Sequence, residues 1–163
     1  MTTTAIDPVL SGGIAYQRDG HPAQAAAMPA TEGDLLNQLR GLVVGAQEVV
    51  AVVEEVSGSV GKAQPGSGAF KFRRNFGFIL GTLQTMRVRV ELVRPQRWQK
   101  TLGLGSASAC ASKSAWENRL KARAQRLYPD LKPTLSTADA LLILGYAYRV
   151  DPGASASQAL NPH

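Results

Sequence analysis

Hydrophobic positions along this chain follow both the two-residue period of strands and the 3.6-residue period of helices. Short apolar or alternating runs between glycine- and proline-containing turns predict five strands, over residues 2–6, 12–16, 23–28, 48–56 and 87–93. Helical spacing predicts four helices, over residues 31–45, 70–86, 112–128 and 136–150. Strands and helices in this order favour an α/β domain with a mixed sheet and helices on both faces.

Some local details carry their own expectations. The last predicted strand alternates between apolar and charged residues, so Val88, Val90 and Leu92 should face the core. Residues 95–105 are predicted to form a turn region. Hydroxyl side chains at the start of the last helix predict a cap at Ser136 or Thr137.

The 163 residues, 44% of them hydrophobic, are enough for one domain with a real core. We assign that domain to residues 1–150. Residues 57–69 are rich in glycine and serine and are predicted to form a mobile loop. Residues 151–163 are predicted to be a disordered tail.

Three carboxylates stand where a structural role is hard to assign. Asp7 and Glu54 each end a strand-like run, and Asp139 interrupts an otherwise apolar helix. A carboxylate in such surroundings requires a cation or hydrogen-bond donors to offset its lost hydration. Spacing alone leaves two interpretations open: converging oxygen ligands for Mg²⁺ or Mn²⁺, or separate partners for arginines and helix N-termini.

Basic charge is concentrated in the second part of the chain. Residues 1–60 contain two basic and seven acidic side chains, whereas residues 61–100 contain nine basic and one acidic. Residues 113–126 add five basic side chains against one acidic. With a net charge of +6 and a pI of about 9.8, this asymmetry favours nucleic acid as a partner over a chance excess of surface charge.

Secreted and membrane proteins are disfavoured. Cys110 is the sole cysteine, so no internal disulfide is possible and a reducing compartment is expected. The N-terminus lacks a basic segment followed by an apolar one, and no apolar run approaches the length of a membrane span. An intracellular protein is therefore predicted.

Several motifs then occur in one order along the chain. They are Asp7-Pro8-x-x-Ser11-Gly12, Val53-Glu54-Glu55-Val56, Val90-Glu91-Leu92-Val93-Arg94-Pro95-Gln96-Arg97-Trp98-Gln99-Lys100, Ser112-Lys113, Leu127-Tyr128-Pro129 and Ala138-Asp139-Ala140-Leu141-Leu142-Ile143. Together they resemble the RuvC-type Holliday junction resolvases of the RNase H-like superfamily, and the phage-type members in particular. The resemblance extends over about residues 3–150.

The resemblance implies an RNase H-like fold with a five-stranded sheet, and a crossover junction endodeoxyribonuclease that resolves four-way or branched DNA by paired cleavage. It implies that Asp7, Glu54 and Asp139 hold two Mg²⁺ or Mn²⁺ ions, with Asp7 bridging both. Two positions depart from the family pattern. Val9 replaces a common glycine, and Ser136 stands where a fourth acidic residue is common. Ser136 is kept as a metal-site candidate, acting through a water molecule.

Basic side chains near these motifs are candidate DNA contacts: Lys62, Lys71, Arg73, Arg74, Arg97, Lys100 and Lys113. Lys62 lies in the loop that enters the junction in this family, and Lys113 is expected beside the acidic site. The alternative is that these charges are merely solvated, as on an amphipathic helix that buries Phe72 and Phe76.

The resemblance further implies a homodimer formed through helix 70–86, acting in the cytoplasm of a bacterium or a phage-infected host. That helix's apolar stripe is equally explained as ordinary core. Two rival functions stay open: a related nuclease for RNA/DNA hybrids or flaps, and a junction-binding protein whose catalysis is weak because of Ser136.

Overall fold

A computed structural model describes residues 1–55 and 67–150 of the chain. Five strands form one mixed sheet: β1 (Thr2–Asp7), β2 (Gly13–Arg18), β3 (Gln24–Ala27), β4 (Val49–Glu54) and β5 (Arg89–Val93). The helices are α1 (Glu32–Val43), α2 (Ser67–Thr85), α3 (Pro95–Thr101), α4 (Lys113–Leu127) and α5 (Leu135–Val150), with a 3₁₀ turn at Ala107–Ala109. The predicted architecture is confirmed.

The sheet places β1 at its centre, in the strand order β3-β2-β1-β4-β5. β1 runs antiparallel to β2 and parallel to β4, and β4 runs parallel to β5. The register of β1 and β4 pairs Ile6 with Val53. Asp7 and Glu54 are the next residues of these two strands, so they end side by side at one edge of the sheet.

The two faces of the sheet bury different helices. Ile6 and Val53 belong to the core that contains α1 and α2, whereas Ala5 and Val52 belong to the core that contains α3, α4 and α5. Side chains alternate between faces along a strand. Asp7 and Glu54 therefore lie on the α5 face, two positions after Ala5 and Val52.

α5 is the most buried helix, with nine buried residues between Thr137 and Ala147. Its first turn approaches β2 at Gly13, where a β-carbon would lie 2.6 Å from the Ser136 carbonyl oxygen and 2.8 Å from that of Ala26. Both neighbours are backbone atoms and cannot rotate away. Glycine at this position thus lets the start of α5 lie beside the strand ends that carry the acidic residues.

Three local predictions were wrong. The predicted turn at residues 95–105 contains α3, because Pro95 sits at the start of a helix, where its fixed φ and missing N–H are acceptable. α5 is capped by Thr134, whose hydroxyl accepts from the N–H of Thr137 at 3.3 Å. Leu92 is 45% exposed rather than buried, because β5 is an edge strand and neighbouring Val93 packs into the opposite face.

Most of the predicted loop 57–69, including Lys62, and the predicted tail 151–163 fall outside the described residues. In the described part, no helix combines the length and hydrophobicity that a membrane crossing requires.

Gly13→Ala is expected to lower the free energy of unfolding by about 1–3 kcal/mol, because the added methyl group must push apart two backbone segments. Urea denaturation measures this change. Gly41→Ala is the matched control, since its β-carbon would meet nothing within 4 Å inside α1. It should raise stability by up to about 1 kcal/mol. Equal effects of both substitutions would contradict the close approach of α5.

Candidate active site

Two of the three predicted acidic residues are nearly buried at the ends of adjacent strands. Asp7 is 7% exposed and Glu54 is 8% exposed. Asp139 is half-buried and comes from the first turns of α5, on the same face of the sheet. Residues that are remote along the chain are thus brought to one place.

The turn after β1 fixes the Asp7 side chain. The N–H of Gly12 donates to the Val9 carbonyl at 2.9 Å and closes the turn. A β-carbon on Gly12 would lie 2.6 Å from the carboxyl carbon of Asp7 and would also collide with the Asp7 carbonyl oxygen. Glycine is therefore required there if the carboxylate is to keep its position. From α2, the amide of the buried Asn75 donates to the Pro8 carbonyl at 2.8 Å and holds the same turn from the other side.

Burial and neighbouring carboxylates raise the pKa values of all three acidic residues. Burial, followed by the charges of Glu54 and Asp139, raises the pKa of Asp7 to about 8, against a small opposing effect of the Val9 N–H. Burial also raises the pKa of Glu54 to about 7, with Asp139 adding to it. Burial raises the pKa of Asp139 to about 6, with a contribution from Glu117. The three groups therefore form one electrostatically coupled cluster.

No cation within the described part of the chain neutralises this cluster. Within residues 1–55 and 67–150, no lysine or arginine forms an ion pair with Asp7, Glu54 or Asp139. No basic side chain from these same ranges contributes to their pKa values either. The interpretation that each carboxylate has its own arginine is thereby excluded for the described residues.

Trp98 is a site residue that the sequence did not reveal. It belongs to the motif Val90–Lys100, and its ring is fully buried. Its indole N–H also donates to Oε2 of Glu54 at 2.8 Å, which lowers the pKa of Glu54 against the effect of burial. This bond leaves Oε1 as the less constrained oxygen of the carboxylate. The sequence signal that could have identified Trp98 is the V-x-P-x-x-W-x-K spacing from Val93 to Lys100, because it places the tryptophan one helical turn after β5.

Glu117 of α4 was also missed. Its charge raises the pKa of Asp139, and its carboxylate lies 3.5 Å from the ammonium group of Lys113, one turn earlier on the same helix. A fourth acidic residue is thus present near the cluster, although from a different helix than the family pattern suggests. Glu55 does not take this role, because it pairs with Arg94 at 3.2 Å.

The donor set suits a hard divalent cation in its chemistry. Carboxylate oxygens are the ligands that Mg²⁺ and Mn²⁺ prefer, and a cation would relieve the cost that raises all three pKa values. In the positions seen, no three acidic, histidine or cysteine side chains among the described residues are close enough to enclose an ion. Binding therefore requires the side chains to turn toward one another. Ser136 is half-buried at the start of α5, with its carbonyl beside Gly13.

The predicted DNA contacts lie on helices that are tied to this cluster. Lys71 and Arg73 are exposed on α2, the helix anchored through Asn75. Arg97 and Lys100 are exposed on α3, on either side of Trp98. Three other candidates differ from this pattern. Arg74 makes a bidentate ion pair with Glu32, with N–O distances of 2.8 and 3.2 Å. Lys113 forms an ion pair with Glu117, and Lys62 lies outside the described residues.

Without metal, the protein is expected to lose stability as the pH rises from about 4 to about 8. The folded-state pKa values of Asp7 (about 8) and Glu54 (about 7) exceed the ordinary values of 3.8 and 4.5. The folded state therefore keeps protons that the unfolded state has already released. Each group lowers the free energy of unfolding by about 1.4 kcal/mol per pH unit between its unfolded-state and folded-state pKa values.

Urea denaturation in EDTA at several pH values measures this dependence. Asp7→Asn removes one of the titrating protons and should give a flatter stability curve than the wild type between about pH 5 and 8. Parallel curves for the two proteins would contradict a raised pKa at Asp7.

Trp98→Phe is expected to destabilise the metal-free protein more at pH 8.5 than at pH 5. The substitution keeps an aromatic ring but removes the donor to Glu54. A hydrogen bond to a charged carboxylate is worth about 1 kcal/mol more than one to a neutral carboxyl, and Glu54 is ionised only at the higher pH. The loss of packing is common to both conditions. An equal loss of unfolding free energy at both pH values, measured by urea denaturation, would contradict a stabilising hydrogen bond from Trp98 to ionised Glu54.

Comparison with known proteins places this geometry in a known fold. No protein-family model and no curated protein sequence matches the chain. A structure of Thermus thermophilus RuvC matches with a TM-score of 0.58 and 19% sequence identity, over 94% of this chain and 98% of that one. A structure of T. thermophilus RuvC in complex with a Holliday junction substrate matches with a TM-score of 0.59 and 15% identity, over 92% and 96%. The chain therefore has the RuvC-like, RNase H-type fold predicted from its sequence motifs.

Proposed function

We propose that this protein is a divalent-metal-dependent endonuclease that cuts the backbone of four-way or otherwise branched DNA. The observation that carries the proposal is the cluster of Asp7, Glu54 and Asp139, which share one face of the sheet, have raised pKa values and have no basic partner among the described residues. The RuvC-like fold and the junction bound by one of its structural neighbours support the choice of substrate.

The residues divide the work according to their positions. Asp7 interacts with both other carboxylates and is the residue best placed to be shared between two ions. Glu54, which Trp98 holds by a hydrogen bond, would be a ligand of one ion, and Asp139 would be a ligand of the other. Bound Mg²⁺ or Mn²⁺ would lower the pKa of a water and offset charge on the phosphodiester. Hydrolysis then adds water across the bond between phosphorus and the 3′ oxygen, leaving a phosphate and a hydroxyl end.

The exposed basic residues supply the substrate-binding surface in this proposal. Two of these residues, Lys71 and Arg73, are on α2, whose Asn75 donates to the Pro8 carbonyl next to Asp7. The other two, Arg97 and Lys100, are on α3, whose Trp98 donates to Glu54. A DNA strand that lies across the cluster would therefore pass between these two helices. Such contacts to phosphates fix the position of the strand without reading its sequence.

A homodimer would let two sites cut two strands of a junction. The N-terminal part of α2 exposes apolar surface that suits such a contact. Phe70 is 69% exposed, and the half-buried rings of Phe72 and Phe76 stack with their centroids 6.2 Å apart. An amphipathic helix that buries Phe72 and Phe76 was one interpretation of the sequence; of these two rings, Phe76 packs against the core.

Cleavage of synthetic DNA tests the proposal directly. The wild type should nick mobile or immobile four-way junctions in Mg²⁺ or Mn²⁺ and leave linear duplex intact. Asp7→Asn should lower the cleavage rate by roughly 100-fold or more, because several kcal/mol of transition-state stabilisation are lost. Junction binding, measured in EDTA, should persist. Asp130→Asn removes an exposed carboxylate elsewhere and should cut as the wild type does.

Other outcomes select the rival functions. Preferential cleavage of an RNA/DNA hybrid or a flap would replace the junction substrate with that of a related nuclease. Tight junction binding without cleavage in either metal would instead indicate a binding protein. Full activity of Asp7→Asn would contradict the assigned centre.

A further inference from the structure

Three arginines of α4 line a cleft that the catalytic centre does not use. Arg119, Arg123 and Arg126 are spaced by four and three residues, which places them on one face of the helix. Together with Gly103 and Leu104, from the loop after α3, they border a cleft of about 330 Å³. The same loop has positive φ angles at Gly103 (65°) and Gly105 (81°), so glycine keeps its backbone tight and its surface bare.

Arg123 is the least exposed of the three arginines. Its side chain is half-buried, and its Nε atom is buried without a hydrogen-bond partner among the described residues. Buried polar atoms in folded proteins are almost always hydrogen-bonded. A guanidinium group also keeps its charge, so it cannot escape the cost by losing a proton. Nε itself is closed to the cleft, but the fixed positive charge of the guanidinium that lines it favours an anion beside the other nitrogens.

The protein does not supply this anion from its described part. None of the three arginines has a carboxylate within ion-pairing distance there. Glu117, the nearest acidic residue along α4, pairs with Lys113. Arg119 makes only a long contact from Nη1 to the sulfur of Cys110, at 4.0 Å, and lies over Gly105. The positive charge of the cleft is therefore available to a ligand.

We propose that this cleft binds a backbone phosphate of the DNA substrate, away from the scissile bond. Guanidinium groups match the oxygens of a phosphate and bind them in pairs. α4 begins at Lys113, beside Glu117 and the acidic cluster, and rises about 1.5 Å per residue. Arg119 and Arg126 are then about 9 and about 20 Å along the helix from Lys113. A helix turns about 100° per residue, so the three arginines lie on the side of α4 away from Glu117, beside the loop after α3, where DNA that crosses α4 would meet them. The assignment rests on the proposed function for the presence of DNA, and the cleft itself rests on its own residues.

Single substitutions on two faces of α4 test this assignment. Arg126→Gln and Arg123→Gln each remove one charge from the cleft, whereas Lys121→Gln removes one charge from an exposed position that does not line it. Binding to a fluorescent four-way junction is measured in EDTA at several salt concentrations. Each arginine substitution should make the slope of log K against log salt shallower by about 0.9 and weaken binding, whereas Lys121→Gln should leave the slope unchanged.

Two controls separate the possible failures. Arg126 is exposed, so Arg126→Gln should fold normally even if Arg123→Gln, which loses a half-buried side chain, does not; thermal unfolding checks both. Arginine slopes equal to that of Lys121→Gln, with junction binding by the wild type intact, would overturn this proposal alone. Absence of DNA binding by the wild type would overturn the proposed function with it.

The Arg123 Nε–H resonance distinguishes DNA from a small anion. In ¹⁵N NMR spectra of the full chain it should shift on addition of the junction. A shift with inorganic phosphate but none with DNA would assign the cleft to a small anionic ligand and contradict a backbone phosphate.

Discussion

The desolvation of three carboxylates at one edge of the sheet is the constraint around which this molecule is built. Burying negative charge without a counter-charge is costly, and here the cost appears as raised pKa values at Asp7, Glu54 and Asp139. A fold selected only for stability would place arginines or apolar side chains at these positions. The protein instead keeps the cluster intact and surrounds it with hydrogen bonds that fix its geometry.

Each surrounding helix contributes one fixed contact to the cluster. α2 holds the turn after Asp7 through Asn75, α3 holds Glu54 through Trp98, and α5 brings Asp139 close because Gly13 has no side chain. These contacts join residues far apart along the chain, by 67 positions for Asn75 and Pro8 and by 123 for Gly13 and Ser136. The same interactions therefore stabilise the fold and position the carboxylates of the site. The exposed basic residues that would bind DNA lie on those same helices.

The sequence predicted the features that depend on hydrophobic periodicity and on residues close together along the chain. Strand and helix patterns gave the five-stranded sheet and its two helical layers, and the strand ends gave Asp7 and Glu54. The alternation of side chains then put both on one face. What could not be predicted depends on side chains meeting across the fold. A tryptophan in a sequence is most simply explained as a packing residue. Only the orientation of the Trp98 indole N–H toward Glu54 shows that it also holds the carboxylate. Arg123 is less exposed than Arg119 and Arg126, although all three share one face of α4 in the sequence pattern. Thr134 caps α5 because the chain bends two residues earlier than the hydroxyl pattern suggested.

Calorimetric titration with Mn²⁺ tests the central claim most directly. At pH 6.5, Asp7 and Glu54 are largely protonated, because their pKa values are about 8 and about 7. Binding of a divalent cation by these carboxylates must displace those protons. Titrations in buffers with different ionisation enthalpies should therefore show proton release at pH 6.5, little release at about pH 9, and much weaker binding by Asp7→Asn. Mn²⁺ binding without proton release at pH 6.5, or unaltered binding by Asp7→Asn, would contradict the account.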